Sequence, residues 1–217
     1  DLIREAFRHG ARDYILKPRM EPESVVAMVR DLLPSESTVV PAGADHRALT
    51  QNWLRECEGR AEDSEPLPPP PAGHVLPHGP VSVLYLWIDD FKVIQARFVD
   101  HELGSFQNRV LEILCRGVPE SAGGLAMALS AQMYLLLWPM ASQTWLIEVR
   151  QRLQEVRHQL RHFLDVTASV GASAPVASPE QLRLGLREAK ALVQMRHLLG
   201  RDRLISGKDV EGLILVD

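Results

Sequence analysis

The sequence predicts an α+β domain, with a mostly antiparallel sheet and helices packed on one face. Three observations carry this. Apolar runs of strand length, such as VSVLYLWI (81–88), alternate with longer segments of helical period. Their order along the second half of the chain is β-α-β-β-α-β-α-β, which suits antiparallel pairing better than a repeated parallel crossover. The composition, 46% hydrophobic and 24% charged, is that of a soluble globular protein and not a disordered one.

The elements fall into three parts, which at 217 residues allows one or two domains. Residues 1–34 read helix–strand–helix, through DLIREAFRHGA, DYILKP and PESVVAMVRDLL. Residues 35–80 read as a linker rich in Pro, Ser, Glu and Gly, with four consecutive prolines at 68–71 and one helix in ADHRALTQNWLRECEGRA. Residues 81–217 form a second block. After the strand at 81–88, ELGSFQNRVLEILCRGV is an amphipathic helix, and GLAMALSAQMYLLLWP is two strands joined by a tight turn. SQTWLIEVRQRLQEVRHQLRHFL is a long helix with Leu146, Val149, Leu153, Val156 and Leu160 at helical spacing. VTASVGAS is a strand. SPEQLRLGLREAKALVQMRHLLG opens on a serine and a proline and closes on a glycine, as a helix does. DRLISG is a last short strand.

Bulk properties exclude several classes. A net charge of -4 makes no demand for nucleic acid or an anionic membrane. Cys57 and Cys115 are far apart and form no CxxC, which argues against a disulfide scaffold or a cysteine zinc site and for a reducing cytoplasm. No apolar run approaches the roughly 18 residues of a membrane span. The opening DLIREAFRHG reads as mid-helix, so a piece of a longer protein is expected.

One stretch, SVLYLWIDDFKVIQ, delivers Asp89 and Asp90 from a buried strand to a sheet edge, where a metal-dependent enzyme would hold a divalent cation. Other candidates carry less. His158 and His162 have i, i+4 metal-ligand spacing but no acidic third ligand beyond Asp165. Arg150, Arg152, Arg157 and Arg161 make one helix basic, and the interleaved Glu148 and Glu155 predict pairing within that helix. Met127, Met133 and Met195 read as core or interface fillers. Neither cysteine has an evident neighbouring base.

The first segment resembles the C-terminal end of a response-regulator receiver domain, on AFRHGARDYILKP. The resemblance implies that Lys17 contacts an aspartyl phosphate, that the bond to Pro18 is cis, and that Tyr14 is an aromatic whose orientation follows activation. An ammonium can neutralise phosphate oxygens without being consumed. The phosphoacceptor aspartate, the acidic metal pair and the switch Ser/Thr of such domains would all precede residue 1.

The second block resembles the diguanylate-cyclase (GGDEF) fold, a nucleotide-cyclase-like architecture with a ferredoxin-like core. The nearest version is the degenerate one found in YesN-like regulators, between a receiver and an AraC-type helix-turn-helix. Active cyclases end their first strand in Asp-Ile-Asp-His-Phe-Lys; here it ends Trp87-Ile88-Asp89-Asp90-Phe91-Lys92. The signature positions fall on Ser130-Ala131-Gln132-Met133-Tyr134, without glycines or carboxylates. VTASVGAS and LREAKALVQMRHLLGRDRLI match the later strand and the last helix with its Gly-Arg end.

Joining a ribose hydroxyl to an α-phosphate needs two divalent ions on oxygen ligands and a turn open to the nucleotide. Trp87 and Met133 offer no hard ligand, so Asp89, Asp90 and Lys92 read as remnants of a site. For the two aspartates the favoured reading is a strand-end cap on the following helical turn, the other a residual metal or nucleotide site. The expectation is a fragment of a cytoplasmic two-component transcriptional regulator with a non-catalytic middle domain, no catalytic residues, no metal and no cofactor. The alternative is a domain sensing a nucleotide-like small molecule, or a divergent nucleotide cyclase. The expected partners of the full-length parent are a cognate sensor histidine kinase and promoter DNA. Residues 1–34, with an unpaired strand and an apolar face, are expected to self-associate by packing against a second chain, or to pack onto the GGDEF-like block of their own chain.

Overall fold

The computed structural model describes residues 42–63, 65–72, 79–98, 102–119, 122–140 and 144–214. Tyr14, Lys17, Pro18 and the rest of the receiver-like segment lie outside the described residues. The described residues fall in one compact unit, Ala42–Asp217.

Five strands form one sheet in the order β2-β3-β1-β4-β5. The central strand β1 (Val81–Ile88) is antiparallel to β3 (Met133–Pro139), from Val81↔Pro139 to Trp87↔Met133, and to β4 (Ala168–Ala172), from Leu84↔Ala172 to Ile88↔Ala168. The edge strand β2 (Leu125–Ala128) joins β3 through the tight turn, and β5 (Leu204–Ser206) lies parallel to β4. The parallel pair needs a crossover, supplied by α5 (Leu182–Gln194) and α6 (Arg196–Leu199).

Period-two alternation divides β1 between two cores. Leu84, Leu86 and Ile88, with Tyr134, Leu136 and Trp138 of β3, face α3 (Leu103–Gly117) and α4 (Trp145–Leu164). Val81, Val83 and Tyr85, with Leu135 and Leu137, face α1 (Ala42–Gly59) and α5. Helices therefore cover both faces, which corrects the one-faced packing expected above. The reason is visible in VSVLYLWI itself: apart from the buried Ser82 the run is apolar, and it has no polar face to give to water.

The second face is closed by the helix that the sequence places in a linker. Trp53, Leu54, Cys57 and Ala61 are buried against the sheet. Trp53 Nε1 donates to Pro68 O at 2.8 Å, tying the proline run back to the helix. Gln51 Nε2 donates to Ala126 O and Arg55 NH2 to Ala128 O, which satisfies carbonyls along the edge strand β2. Lys190 of α5 pairs with Glu58 at 2.9 Å.

The approach of α5 to β4 depends on Gly171. A Cβ there would lie 2.2 Å from Ala189 O and 2.4 Å from Val193 N, so only glycine lets the helix backbone meet the strand. At its far end α4 stops on Asp165, in the left-handed region at φ 52°, whose N–H closes on Arg161 O. No helix among the described residues is long and apolar enough to cross a membrane.

Candidate functional site

The site begins where β1 ends. Asp89 N–H still pairs with Thr167 O at 2.9 Å, prolonging the ladder. Asp90 then takes a left-handed conformation, φ 49°, and turns the chain into the short α2 (Phe91–Gln95). Aspartate tolerates that region better than most side chains. Neither carboxylate works as the expected helical cap: Asp90 makes no side-chain capping bond, and Asp89 points back across the sheet.

Asp89 is 3% exposed and is held from two directions. Ser169 of β4 donates its hydroxyl to Oδ1 and Oδ2 at 2.9 and 3.1 Å, and the Asp202 N–H donates to Oδ2 at 3.1 Å. Burial pushes the carboxyl above its usual range; bonds from Ser169 and Thr167 and the charges of Arg196 and Arg201 act against it. Asp90 is half exposed and pairs with Arg201, while Lys92 is exposed on α2.

The β2–β3 turn lies beside this strand end. Its Ser130 hydroxyl accepts from the N–H groups of Gln132 and Met133 at 3.2 and 3.1 Å, a serine turn that needs no glycine. Gln132 latches it to β1: Ile88 N–H donates to Gln132 O at 2.9 Å, and Gln132 Nε2 donates to Ile88 O at 3.3 Å. Met133, Trp87 and Ser169 then sit side by side across β3, β1 and β4. The Arg196 guanidinium lies over the Trp87 ring, 4.3 Å from its centroid. Arg196 is 6% exposed and donates to Val193 O and Gln194 Oε1 at 2.8 and 3.0 Å. Burial lowers its pKa, and Asp89 opposes that shift.

These residues do not fit a pair of divalent ions. An indole and a thioether stand where carboxylates would be needed, the Asp89 oxygens already accept three bonds, and a buried guanidinium supplies positive charge nearby. Among the described residues, no group of three or more His, Cys, Asp or Glu is placed to hold a metal. His158 and His162 stack with centroids 6.1 Å apart. Cys57 is buried, and burial pushes its thiol up to about 12, the opposite of a nucleophile's environment.

Sequence reasoning brought Asp89 and Asp90 to the right edge but missed Ser169, Arg196, Arg201 and Asp202. Asp202 is central: its N–H reaches Asp89, and its carboxylate pairs with Arg157 at 2.9 Å and with Arg161. It too is left-handed, at φ 55°. Arg150, Arg157 and Arg161 thus bond to aspartates of the C-terminal segment, Asp209 and Asp202, where pairing within the helix was expected.

The family model described as a GGDEF-like domain matches residues 74–195. The chain belongs to the GGDEF-like domain family. Solved structures share the fold. The coiled coil and GGDEF domain of DgcB from Caulobacter crescentus, in complex with c-di-GMP, is 16% identical, with 86% of this chain and 95% of that one covered and a TM-score of 0.50. Diguanylate cyclase SiaD from Pseudomonas aeruginosa, in complex with its activator SiaC, is 18% identical over 86% of this chain and 69% of that one, with a TM-score of 0.53. The active GGEEF domain of a diguanylate cyclase from Vibrio cholerae is 13% identical over 74% and 95%, with a TM-score of 0.50. At these identities the likeness is one of fold. No curated protein matches the chain significantly.

The GGDEF-like assignment corrects the expectation that this is not an enzyme. That expectation weighed one set of ligand positions, 87 and 130–134, whereas the family match runs over residues 74–195. Losing one ligand set does not exclude catalysis on a retained fold. The neighbours named are GGDEF-domain proteins, and none of them brings a receiver or an AraC-type helix-turn-helix to this chain.

Proposed function

We propose that this domain is a divergent member of the diguanylate-cyclase type that takes a guanine nucleotide at the β1–β3 edge. The observation that supports this most is the convergence, within a GGDEF-like fold, of Trp87, Asp89, Asp90, Gln132 and Arg201 on one end of the sheet. The exposed cations Lys92 and Arg201 suit phosphate oxygens, and Arg201 is a planar, bidentate donor once it leaves Asp90. Titration calorimetry of the full chain with GTP and with c-di-GMP tests the reading. Saturable binding weakened about tenfold by Arg201→Gln is expected. Absence of binding by both ligands overturns it. Mass spectrometry after incubation with GTP and magnesium reads cyclic dinucleotide formation in the same samples.

A second part of the proposal rests on AFRHGARDYILKP alone: the domain follows a receiver, in a two-component regulator whose partners are a histidine kinase and promoter DNA. The complete open reading frame decides it, by the presence or absence of a phosphoacceptor aspartate upstream and a helix-turn-helix downstream.

A further inference from the structure

A cleft of about 410 Å³ opens between α4 and β5. Leu153 and Leu204 are its buried apolar floor, and Arg150, Gln154, Arg157 and Arg203 form its rim. Arg150, Gln154, Arg157 and Arg161 recur at helical spacing, so one stripe of α4 carries three guanidiniums and an amide. Arg203 faces them from the start of β5.

The charge is not balanced. Asp209, on α7 (Gly207–Ile214), is shared between Arg150, at 3.1 Å, and Arg203, at 3.7 Å. Asp202 is shared between Arg157 and Arg161. Four guanidiniums therefore pair with two carboxylates, with Asp89 a third negative charge near Arg157, and each guanidinium carries five N–H donors. Arg203 NH1 is spent on Leu199 O at 2.8 Å, and among the described residues its one carboxylate contact is the long one. A salt-bridge network that served only to fasten α4 to the C-terminal segment would need no more cations than anions. It would also not leave an apolar-floored cleft of ligand size.

We propose that this cleft binds a small phosphorylated ligand, with its phosphate dianion taken by Arg150, Arg157 and Arg203 and its apolar body laid on Leu153 and Leu204. Guanidiniums are the side chains of choice for phosphate oxygens because their planar forks match the geometry. The six lining residues border an open cleft of small-molecule volume. Asp202 connects the cleft to the β1 edge, since its carboxylate holds Arg157 while its N–H reaches Asp89.

Titration calorimetry with pyrophosphate, and separately with orthophosphate, tests the proposal on the full chain. Saturable one-site binding is expected, weakened about tenfold or more by Arg203→Gln and by Arg150→Gln. Because both arginines also hold Asp209, Gln154→Ala provides a variant that leaves the ion pairs intact; it is expected to weaken binding severalfold at an unchanged unfolding temperature. Arg116→Gln, outside the cleft, is expected to bind as the native chain does. Lack of saturable binding by the native chain overturns the site. So does binding that survives Arg203→Gln and Arg150→Gln undiminished, or binding abolished by Arg201→Gln alone, which would place the anion at the β1 edge.

Discussion

Ser169 of β4 and Asp89, just past the end of β1, are joined by one hydroxyl that donates to both carboxylate oxygens, at 2.9 and 3.1 Å. The pair is buried, and with the Asp202 N–H it locks the end of β1 to β4 and to the segment before β5. A carboxylate so placed is a structural hub at the candidate site's base, and its protonation is linked to folding.

Burial raises the Asp89 pKa in the folded state, so between the ordinary carboxylate value of 3.8 and the raised value the native chain binds more protons than the unfolded one. Stability from this group is then greatest at the acid end of that window and falls as pH rises through it. Asp89→Asn removes the titration. The stability difference, native minus Asp89→Asn, is expected to decrease as pH rises from about 4 toward neutrality. Urea denaturation at a series of pH values measures it, with other groups cancelling in the difference. A difference that grows with pH contradicts the assignment.

Trp87→Ala removes the ring beneath Arg196 and leaves a buried guanidinium over a gap. A cost of about 2–4 kcal/mol is expected, combining lost packing with the lost cation–π contact. Trp87→Phe keeps a π face and is expected to recover at least half of it. Equal losses for the two variants would remove the ring's role.

Gly171→Ala places a methyl group against the α5 backbone at Ala189 and Val193, where no flexible side chain can yield. Overpacking of this kind is expected to cost about 3 kcal/mol or more. Thermal unfolding followed by circular dichroism reads it. Gly59→Ala meets open space and is expected to leave stability within about 1 kcal/mol.

Leu54→Ala distinguishes a core helix from a linker helix. Leu54 is fully buried between α1 and the second face of the sheet. Its truncation is expected to cost about 2–5 kcal/mol in a single cooperative transition. A loss below about 1 kcal/mol would mean that α1 contributes nothing to the domain's stability.

Local chemistry determined what could be read in advance. The apolar run and length of VSVLYLWI, the paired strands of GLAMALSAQMYLLLWP and the spacing of Val149, Leu153, Val156 and Leu160 specify elements within a few residues of their observed bounds, because backbone pairing and helical period act over short distances. The placement of Asp89 at a sheet edge follows from the same strand. Tertiary structure alone decided which distant groups meet. Arg196 rests on Trp87, and Asp202 on Asp89, because the close α5–β4 contact through Gly171 and the parallel return of β5 carry the last helix and loop back over the end of β1. The role of α1 was hidden for a related reason. Its flanks read as a linker, and the apolar face that claims it belongs to strands beginning at Val81, beyond the proline run. The apolar run of β1 already requires that both faces be covered; which helices cover them is a property of the assembled sheet.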